Sequence, residues 1–564
     1  MLNNAGTFNS PSGVGFLNHG IAINTGAITS DILNTGSFLN NGTLTGAFAN
    51  TGVLSGTGIL TGTLANTGTV APGTPYGTMT VNGRYTQAST GAFQVAVFPS
   101  GQAGRLNVIG ATGTASLAGS VLAQIQAGGA YAPRATYTIL QATGGLSGNF
   151  SSVTSSSPFL LPSLSYDANN VYLTLQIGGF ATAALTPQQQ AVASVLDSTA
   201  ATATGDYATV LGALAALSPA QVQPILTTLS GTNYAGFSSA MVQGAQFFMN
   251  NFASQATGGG PSGSARVALA EACDVACDEA ATPRWGAWGG AIGGLGTIGA
   301  GTPQGAVTYN AGGFAAGLDR AFTENFRAGV TLGYSGGTQW VSGFSGQGNS
   351  DTVQAGLYGN YASGPFYADG LIGYAYSNNR MTRQILIPGL AARTAFGQAG
   401  ANQFFGQLET GYSFDIGTGA DAFIKPFARL QAYTGTQNGF SETGAQSLNL
   451  SVAQQTTNSL RSVIGAQLGA SMDMGWRDRL AMRFRLGWSH EYADVGRPVT
   501  AALAGAPASA FTTFGISPVR DGVLLGLSAS TAIADATSLY LRYEGTLAGT
   551  DGSQGLTAGV RMTW

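Results

Sequence analysis

Apolar and polar residues alternate along the C-terminal half of this chain, and nearly all the charge in the alternating segments falls on the polar face. The clearest apolar series are Phe326-Ala328-Val330-Leu332-Tyr334, Val353-Ala355-Leu357-Gly359-Tyr361, Phe404-Gly406-Leu408-Thr410-Tyr412, Ile464-Ala466-Leu468-Ala470, Met482-Phe484-Leu486-Trp488 and Leu539-Leu541-Tyr543. A period of two puts each series on one side of a strand. Arg327, Asp369, Glu409, Lys425, Arg429, Arg461, Arg483, Arg485, Glu491, Arg542 and Glu544 fall on the other. Segments of roughly ten to twelve residues with one apolar face match tilted strands crossing a bilayer. About twelve such segments can be placed from Arg284 onward. Charges are costly in lipid, so the charged faces are expected to line a lumen. Trp488, Tyr492, Tyr412 and Trp564 come near strand ends, where interfacial girdles form.

The last nine residues alternate in the same way, with Leu556, Ala558, Val560, Met562 and Trp564 on one face. This resembles the C-terminal sorting strand of bacterial outer-membrane barrels, which the barrel-assembly machinery reads. Composition agrees. Only 8% of the 564 residues are charged and 86 are glycine, far from the roughly one-quarter charged of soluble domains. A net charge of −3 offers no basic surface for nucleic acid. No run of apolar residues is long enough for a membrane-spanning helix. Met1–Asn4 lack the basic start and apolar core of a secretory signal, so the sequence is expected to begin late, as a fragment or from a mis-called start.

Residues 1–180 are repetitive. Asn-Xaa-Gly triplets begin at Asn18, Asn34, Asn50 and Asn66, and a second series begins at Asn24 and Asn40 and continues from Gly56. Apolar residues keep phase with them: Phe16, Ile32, Phe48 and Leu64, then Ile28, Leu44 and Leu60. Fixed-period self-similarity with short β-prone runs between Asn and Gly predicts a β-solenoid whose rungs bury their inward residues on one another. A disordered Gly/Thr/Asn stalk is the alternative, although disorder does not require the apolar residues to stay in register. Three arginines and two aspartates, Asp31 and Asp167, are the only side-chain charges before residue 180. Backbone ladders and in-register side-chain stacks must therefore support the fold.

From Thr69 the wording changes to TVAPGTPYGTMTVNGRYTQ, GRLNVIGATGTASLAGSV, YTILQATGGLSGNFSSV and LSYDANNVYLTL. These four blocks resemble, in order, the end of pertactin-like autotransporter passengers; Gly104 stands where that family usually has aspartate. The resemblance implies a right-handed β-solenoid whose C-terminal cap helps the passenger fold outside the cell. Residues 171–175 alternate as a closing strand would.

Near residue 181 the period becomes helical. Thr186-Pro187-Gln188-Gln189 and Ser218-Pro219-Ala220-Gln221 both read as capping boxes with proline at the first helical position. Val210, Leu211, Leu214 and Leu217 form one apolar stripe, and Val222, Ile225, Leu226 and Leu229 another, closed by Gly231. A third helix is expected from about Phe237 to Phe252. Residues 181–280 thus resemble the helical linker of autotransporters, in which a helix entering the barrel lies in the pore after export. A small separate helical domain is the other reading.

Cys273 and Cys277 sit in an acidic stretch between that linker and the alternating region. Cys-x3-Cys without a nearby histidine is a poor zinc site. A local disulfide or free thiols remain open.

RWGAWGGAIGG, RLAMRFRLGWSHEY, FGISPVRDGVLLGLS and LYLRYEGTLAGTDGSQGLTAGVRMTW occur in the order and at the spacing of the autotransporter β-domain. That resemblance covers residues 281–564 and implies a 12-stranded antiparallel transmembrane β-barrel that takes part in exporting its own passenger. Some autotransporters are cut between two asparagines inside the barrel. Asn250-Asn251 is a candidate for such a step by residue type, although its neighbours do not match that subgroup.

No nucleophile motif, metal cluster, Walker motif or dinucleotide fingerprint is present, so no cofactor or metal is expected. The chain contains two histidines, His19 and His490, and neither has a Ser or Asp setting that reads as a triad. The sequence therefore reads as a non-enzyme: a type V secretion autotransporter whose passenger serves adhesion or surface interaction. A porin-like or envelope-structural barrel with a vestigial passenger is the alternative. The expected partners are outer-membrane lipid, the barrel-assembly machinery and periplasmic chaperones, with no nucleic acid and with the passenger's ligand unread.

Overall fold

The sixteen-residue period of the sequence is the length of one solenoid turn. Ser37 pairs with Val53 and Val53 with Thr69 in one parallel sheet, Thr43 with Ile59 in a second, and Ile32 with Phe48 and Phe48 with Leu64 in a third. The computed structural model that gives this register describes residues 1–10, 15–73, 75–256, 284–301, 305–417, 422–473, 479–534 and 536–564. It divides into two compact units: Met1–Leu226 with Leu386–Ala392 and Gln446–Leu448, and Thr227–Ile385 with Arg393–Ala445 and Asn449–Trp564.

In the first unit the repeated asparagines do more than turn the chain. Asn18 Nδ2 donates to Asn34 Oδ1, Asn34 to Asn50, and Asn50 to Asn66, each at 2.7 Å, and Asn66 donates to Gln87 Oε1 at 2.7 Å. A second ladder runs from Asn4 through Asn24 to Asn40 at 2.8 Å per step. Asn4, Asn18, Asn24, Asn34, Asn50 and Asn66 also donate to a backbone carbonyl, as Asn34 does to Val53. A buried amide needs both its donors and its acceptor met, and identical residues stacked one rung apart meet them reciprocally. Inside the ladders run the apolar stacks Ile28-Leu44-Leu60 and Ile32-Phe48-Leu64, all buried. A third stack, Ala22-Phe38-Leu54-Val70, completes the core.

Parallel stacking stops where Arg134–Ala142 pairs antiparallel with Asn170–Ile177, which in turn pairs antiparallel with Leu160–Tyr166. This hairpin covers the last rung, so the edge it leaves cannot continue the parallel ladder. Asp167 closes its turn by accepting from Asn170 Nδ2, Asn169 N and Tyr172 Oη, which together hold its carboxyl down to about 2. At Gly104 a Cβ would overlap the carbonyl of Pro72, so this chain has no room for a side chain there.

Helix α1 (Pro187–Thr199) starts at Thr186 with both halves of the capping box formed. Helix α2 (Gly205–Ala215) buries Val210, Leu211 and Leu214 and runs so close to Tyr131 that a Cβ at Gly212 would overlap the tyrosine's carbonyl. Tyr131 itself is buried, which pushes its phenol up to about 12. Helix α3 (Pro219–Leu229) begins with Gln221 Oε1 accepting from Ser218 N at 3.0 Å and is followed by Gly231, whose φ of 66° makes the left-handed bend.

In the second unit, twelve long antiparallel strands close into a barrel among the described residues. They are β1 (Trp285–Ile298), β2 (Val307–Ala321), β3 (Phe326–Val341), β4 (Gly348–Ser363), β5 (Phe366–Ile385), β6 (Arg393–Tyr412), β7 (Phe423–Gln437), β8 (Gln455–Met472), β9 (Leu480–Glu491), β10 (Asp521–Ala534), β11 (Thr537–Ala548) and β12 (Asp551–Thr563). Each pairs with the next, and β12 returns to β1 with Val560 opposite Gly289. Leu332, Leu357, Ile372, Phe404, Ile464, Trp488, Leu541 and Met562 point outward and are exposed, a continuous apolar band that only lipid can cover. Short turns at one end (residues 322–325, 364–365) contrast with long connections at the other (438–454, 492–520). Barrels of this kind keep short turns periplasmic and long loops outside. No helix among the described residues is long and apolar enough to cross a membrane. The strands, with their outward apolar band, are suited to cross a membrane.

Candidate functional site

Helix α4 (Ala235–Ala256) runs inside the barrel. Met241, Val242, Ala245, Phe248 and Met249 pack with Trp288, Ala315, Tyr358, Leu371, Ala375, Ala401, Phe405 and Tyr433, which come from β1, β2 and β4 to β7. Phe247 packs beside Ile298, Val307 and Tyr309. The glycine content of the wall makes room for this helix. A Cβ at Gly294 would overlap the ring of Phe247, and one at Gly333 would press on Phe248.

Beside the lower part of α4 the inward charges form one network. Glu409 accepts from Arg429 Nε at 2.7 Å, Arg485 Nη2 at 2.6 Å and Tyr367 Oη at 2.9 Å. Glu544 accepts from Arg429 at 3.2 Å and Arg542 at 2.5 Å. Arg429 also donates to Asn250 Oδ1 at 3.0 Å, and Gln431 donates to the same oxygen at 3.1 Å. Arg461 reaches Gln246 Oε1 at 3.1 Å and Thr546 Oγ1 at 3.0 Å. The wall thus grips the helix through neutral amides as well as by packing. Charged groups this deep persist because each acid has a guanidinium or amide partner.

The remaining inward residues are placed as follows. Asp369 is buried and accepts from Asn360. Lys425 stands 4.7 Å from the Tyr367 ring centre and Arg485 lies 4.0 Å over Phe427, while Arg483 is half-buried on β9. Glu491 sits near the outer rim, accepting from Ser459 at 2.5 Å and from Leu460 N at 2.8 Å. Two clusters escaped the sequence reading. Asp319 pairs with Arg327 at 2.5 Å and Arg561 at 2.8 Å, and also accepts from Tyr358, whose oxygen accepts from Trp288 Nε1. Arg383 and Glu442 form a second, fully buried pair. Their partners lie far apart in sequence, so alternation alone marks a face without saying which charge meets which.

At the closing seam Trp564 and Trp285 exchange backbone hydrogen bonds at 2.9 and 3.0 Å. Leu556, Ala558, Val560 and Met562 face outward, whereas Thr557 and Arg561 face inward and are buried. Asn250 and Asn251 occupy the α4 helix, Asn250 held by Arg429 and Gln431. Cys273 and Cys277 lie outside the described residues. His19 Nδ1 lies 2.6 Å from Thr35 Oγ1 on the next rung. His490 does have an acid partner: its Nδ1 lies 2.8 Å from Asp521 Oδ1 on the adjacent strand, a pairing that the 31-residue separation concealed.

Residues 287–544 match the family model described as autotransporter beta-domain. Two curated proteins named extracellular serine protease, both from Serratia marcescens, align over 473 residues, one at 25% identity and the other at 24%. Each alignment covers 76% of this chain and 43% of the relative, so the chain spans less than half the length of the curated relatives it matches. Among solved structures, the translocator domain of autotransporter NalP from Neisseria meningitidis is 16% identical with a TM-score of 0.41, covering 58% of this chain and 96% of that one. The β-domain of the Bordetella autotransporter BrkA is 18% identical with a TM-score of 0.38, covering 50% of this chain and all of that one. The protease names correct the non-enzyme reading of the sequence. A catalytic triad is defined by roles in space and appears in several chain orders, so the lack of a local motif is an insufficient ground for excluding one.

Proposed function

We propose, from the premise that residues 287–544 of this chain form an autotransporter β-domain, that the protein carries residues 1–180 across the outer membrane and displays them at the cell surface. It is a type V secretion autotransporter. The division we propose is a solenoid passenger to residue 180, a helical linker to 280 and the barrel from 281 onward. The observation that carries the reading is α4 inside a closed barrel, joined upstream to a capped solenoid: a chain leaving through the pore would come to rest with its last helix in the lumen. In this reading Asp369, Glu409, Lys425, Arg429, Arg461, Arg483, Arg485, Glu491, Arg542 and Glu544 are the lumen lining that first passes and then holds the chain. The expected interactions are with outer-membrane lipid around the barrel, and with periplasmic chaperones and the barrel-assembly machinery on the way there.

Leu556 to Trp564 would be the strand that this machinery reads, and it is also the closing strand. Deleting Trp564 removes an interfacial anchor and one end of the β1–β12 seam together. Antibody labelling of intact cells is then expected to show loss of the displayed solenoid, with periplasmic degradation of the chain. Normal display of the Trp564-deleted protein would contradict the reading.

For the passenger's role, adhesion or other surface interaction suits rungs whose outward positions are rich in threonine. A second reading follows from the relatives' names, in which the displayed part of the whole protein is a serine protease. Labelling with a fluorophosphonate separates the two, since only an activated serine reacts. Release by cleavage between Asn250 and Asn251 is read from the N-terminus of the outer-membrane fragment. A start at Asn251 means release, and an uncut chain means retained display.

A further inference from the structure

At the outer end of the barrel the chain passes from α3 to α4 through contacts of a different kind from those lower down. Arg383 is fully buried; its Nε and Nη2 donate to the two oxygens of Glu442 at 3.0 and 2.5 Å, and its Nη1 donates to the carbonyl of Thr228 at 3.0 Å. Glu442 also accepts from Leu450 N and from Tyr234 Oη, each at 2.7 Å. Thr513 Oγ1 donates to the carbonyl of Ser230 at 3.2 Å. Thr513 lies in, and Glu442 directly follows a strand of, a four-stranded sheet built from the long outer loops, Phe440–Ser441, Leu450–Val452, Pro498–Leu503 and Phe511–Phe514, and Arg383 reaches Glu442 from β5.

The fit is also steric. Tyr234 lies edge-on against Phe440 with ring centres 4.9 Å apart. A Cβ at Gly397 would overlap the Tyr234 hydroxyl, one at Gly515 would overlap Ala235, and one at Gly231 would press on Leu450. Burial, reinforced by the Glu442 carboxylate, pushes the Tyr234 phenol well above its usual range, so it remains a donor to that carboxylate. Wall glycines at 397 and 515 thus form the negative image of one tyrosine and one alanine. Another register would leave the Arg383–Glu442 pair intact but would strip Arg383 Nη1 of the Thr228 carbonyl and Glu442 of the Tyr234 hydroxyl, and buried polar groups left unmet in this way are costly.

We infer that the outer mouth is a peptide-binding site for the chain's own residues 228–235, in which Arg383, Glu442, Gly397, Phe440 and Thr513 read one register and so fix where export comes to rest. The inference rests on the display reading, and its test separates the two. Intact cells are treated with proteinase K and the N-terminus of the membrane-retained fragment is measured by mass spectrometry for the unaltered chain, Tyr234→Ala and Gly397→Leu. A single N-terminus is expected for the unaltered chain, and a spread over several residues for both variants, with heat-modifiable barrel unchanged. A single, unshifted N-terminus in assembled variants overturns the grip. A retained fragment missing from the unaltered protein overturns display instead. Amide exchange of the unaltered protein decides the grip if neither variant assembles: residues 230–235 are expected to exchange more slowly than the first turns of α4, and the reverse order overturns it.

Discussion

Excising residues 235–256 is expected to turn a nearly closed barrel into an open pore. Barrel diameter grows with strand number; eight strands are filled by their own side chains, whereas sixteen leave a water channel. Twelve strands fall between, and the inner wall here leaves space for one helix about 10 to 12 Å across. In this chain α4 fills that space, with Phe248 against Phe405 and Phe247 beside Tyr309. Removing it uncovers a wall rich in glutamine, serine and arginine, which wets readily. Barrel assembly is expected to survive, because closure depends on strand pairing and the outward apolar band. In planar bilayers the excised protein should conduct on the order of tenfold more per channel than the intact one. Equal conductance would place the helix outside the lumen.

A comparably large effect is expected from one methyl group in the solenoid. At Gly36 a Cβ would overlap the carbonyl oxygen of Gly20 on the rung below, so alanine forces backbone from backbone. Rungs stack only at ladder spacing, and neither neighbour has a flexible side chain that could yield. Gly36→Ala is expected to destabilise the solenoid by about 3 kcal/mol, at the upper end of overpacking costs. Gly20→Ala is the matched control, because nothing among the described residues lies within 4 Å of its Cβ. Its effect should stay within about 0.5 kcal/mol. The urea dependence of protease resistance measures both. Equal midpoints for the two variants would contradict the stacked-rung account.

Much of this architecture is legible in the sequence because period maps directly onto geometry. A repeat of sixteen is one turn, and a repeat of two is a strand with unlike faces. Asn34 shows the limit of such reading. Its position suggests a turn, but its function depends on Asn18 and Asn50 lying directly below and above it, which requires the rung length to equal the repeat length. The Ala22-Phe38-Leu54-Val70 stack keeps the same sixteen-residue period, paired in register within one parallel sheet. In the barrel, alternation places Glu409 and Arg429 on inward faces, but the Asp319–Arg561 and Arg383–Glu442 pairs bridge elements far apart in the chain. Which of several helical segments enters the lumen is equally silent in periodicity, since each has an apolar stripe. The His490–Asp521 contact likewise joins residues 31 positions apart, which periodicity does not pair.

In the proposed display, residues 1–180 lie outside the cell while the strands from Trp285 onward lie in the outer membrane. Limited proteolysis of intact cells, with mass spectrometry of what remains in the membrane, tests this directly. The expected result is loss of the solenoid and survival of one fragment that ends at Trp564 and contains all twelve strands. Protection of the solenoid together with the barrel would contradict it.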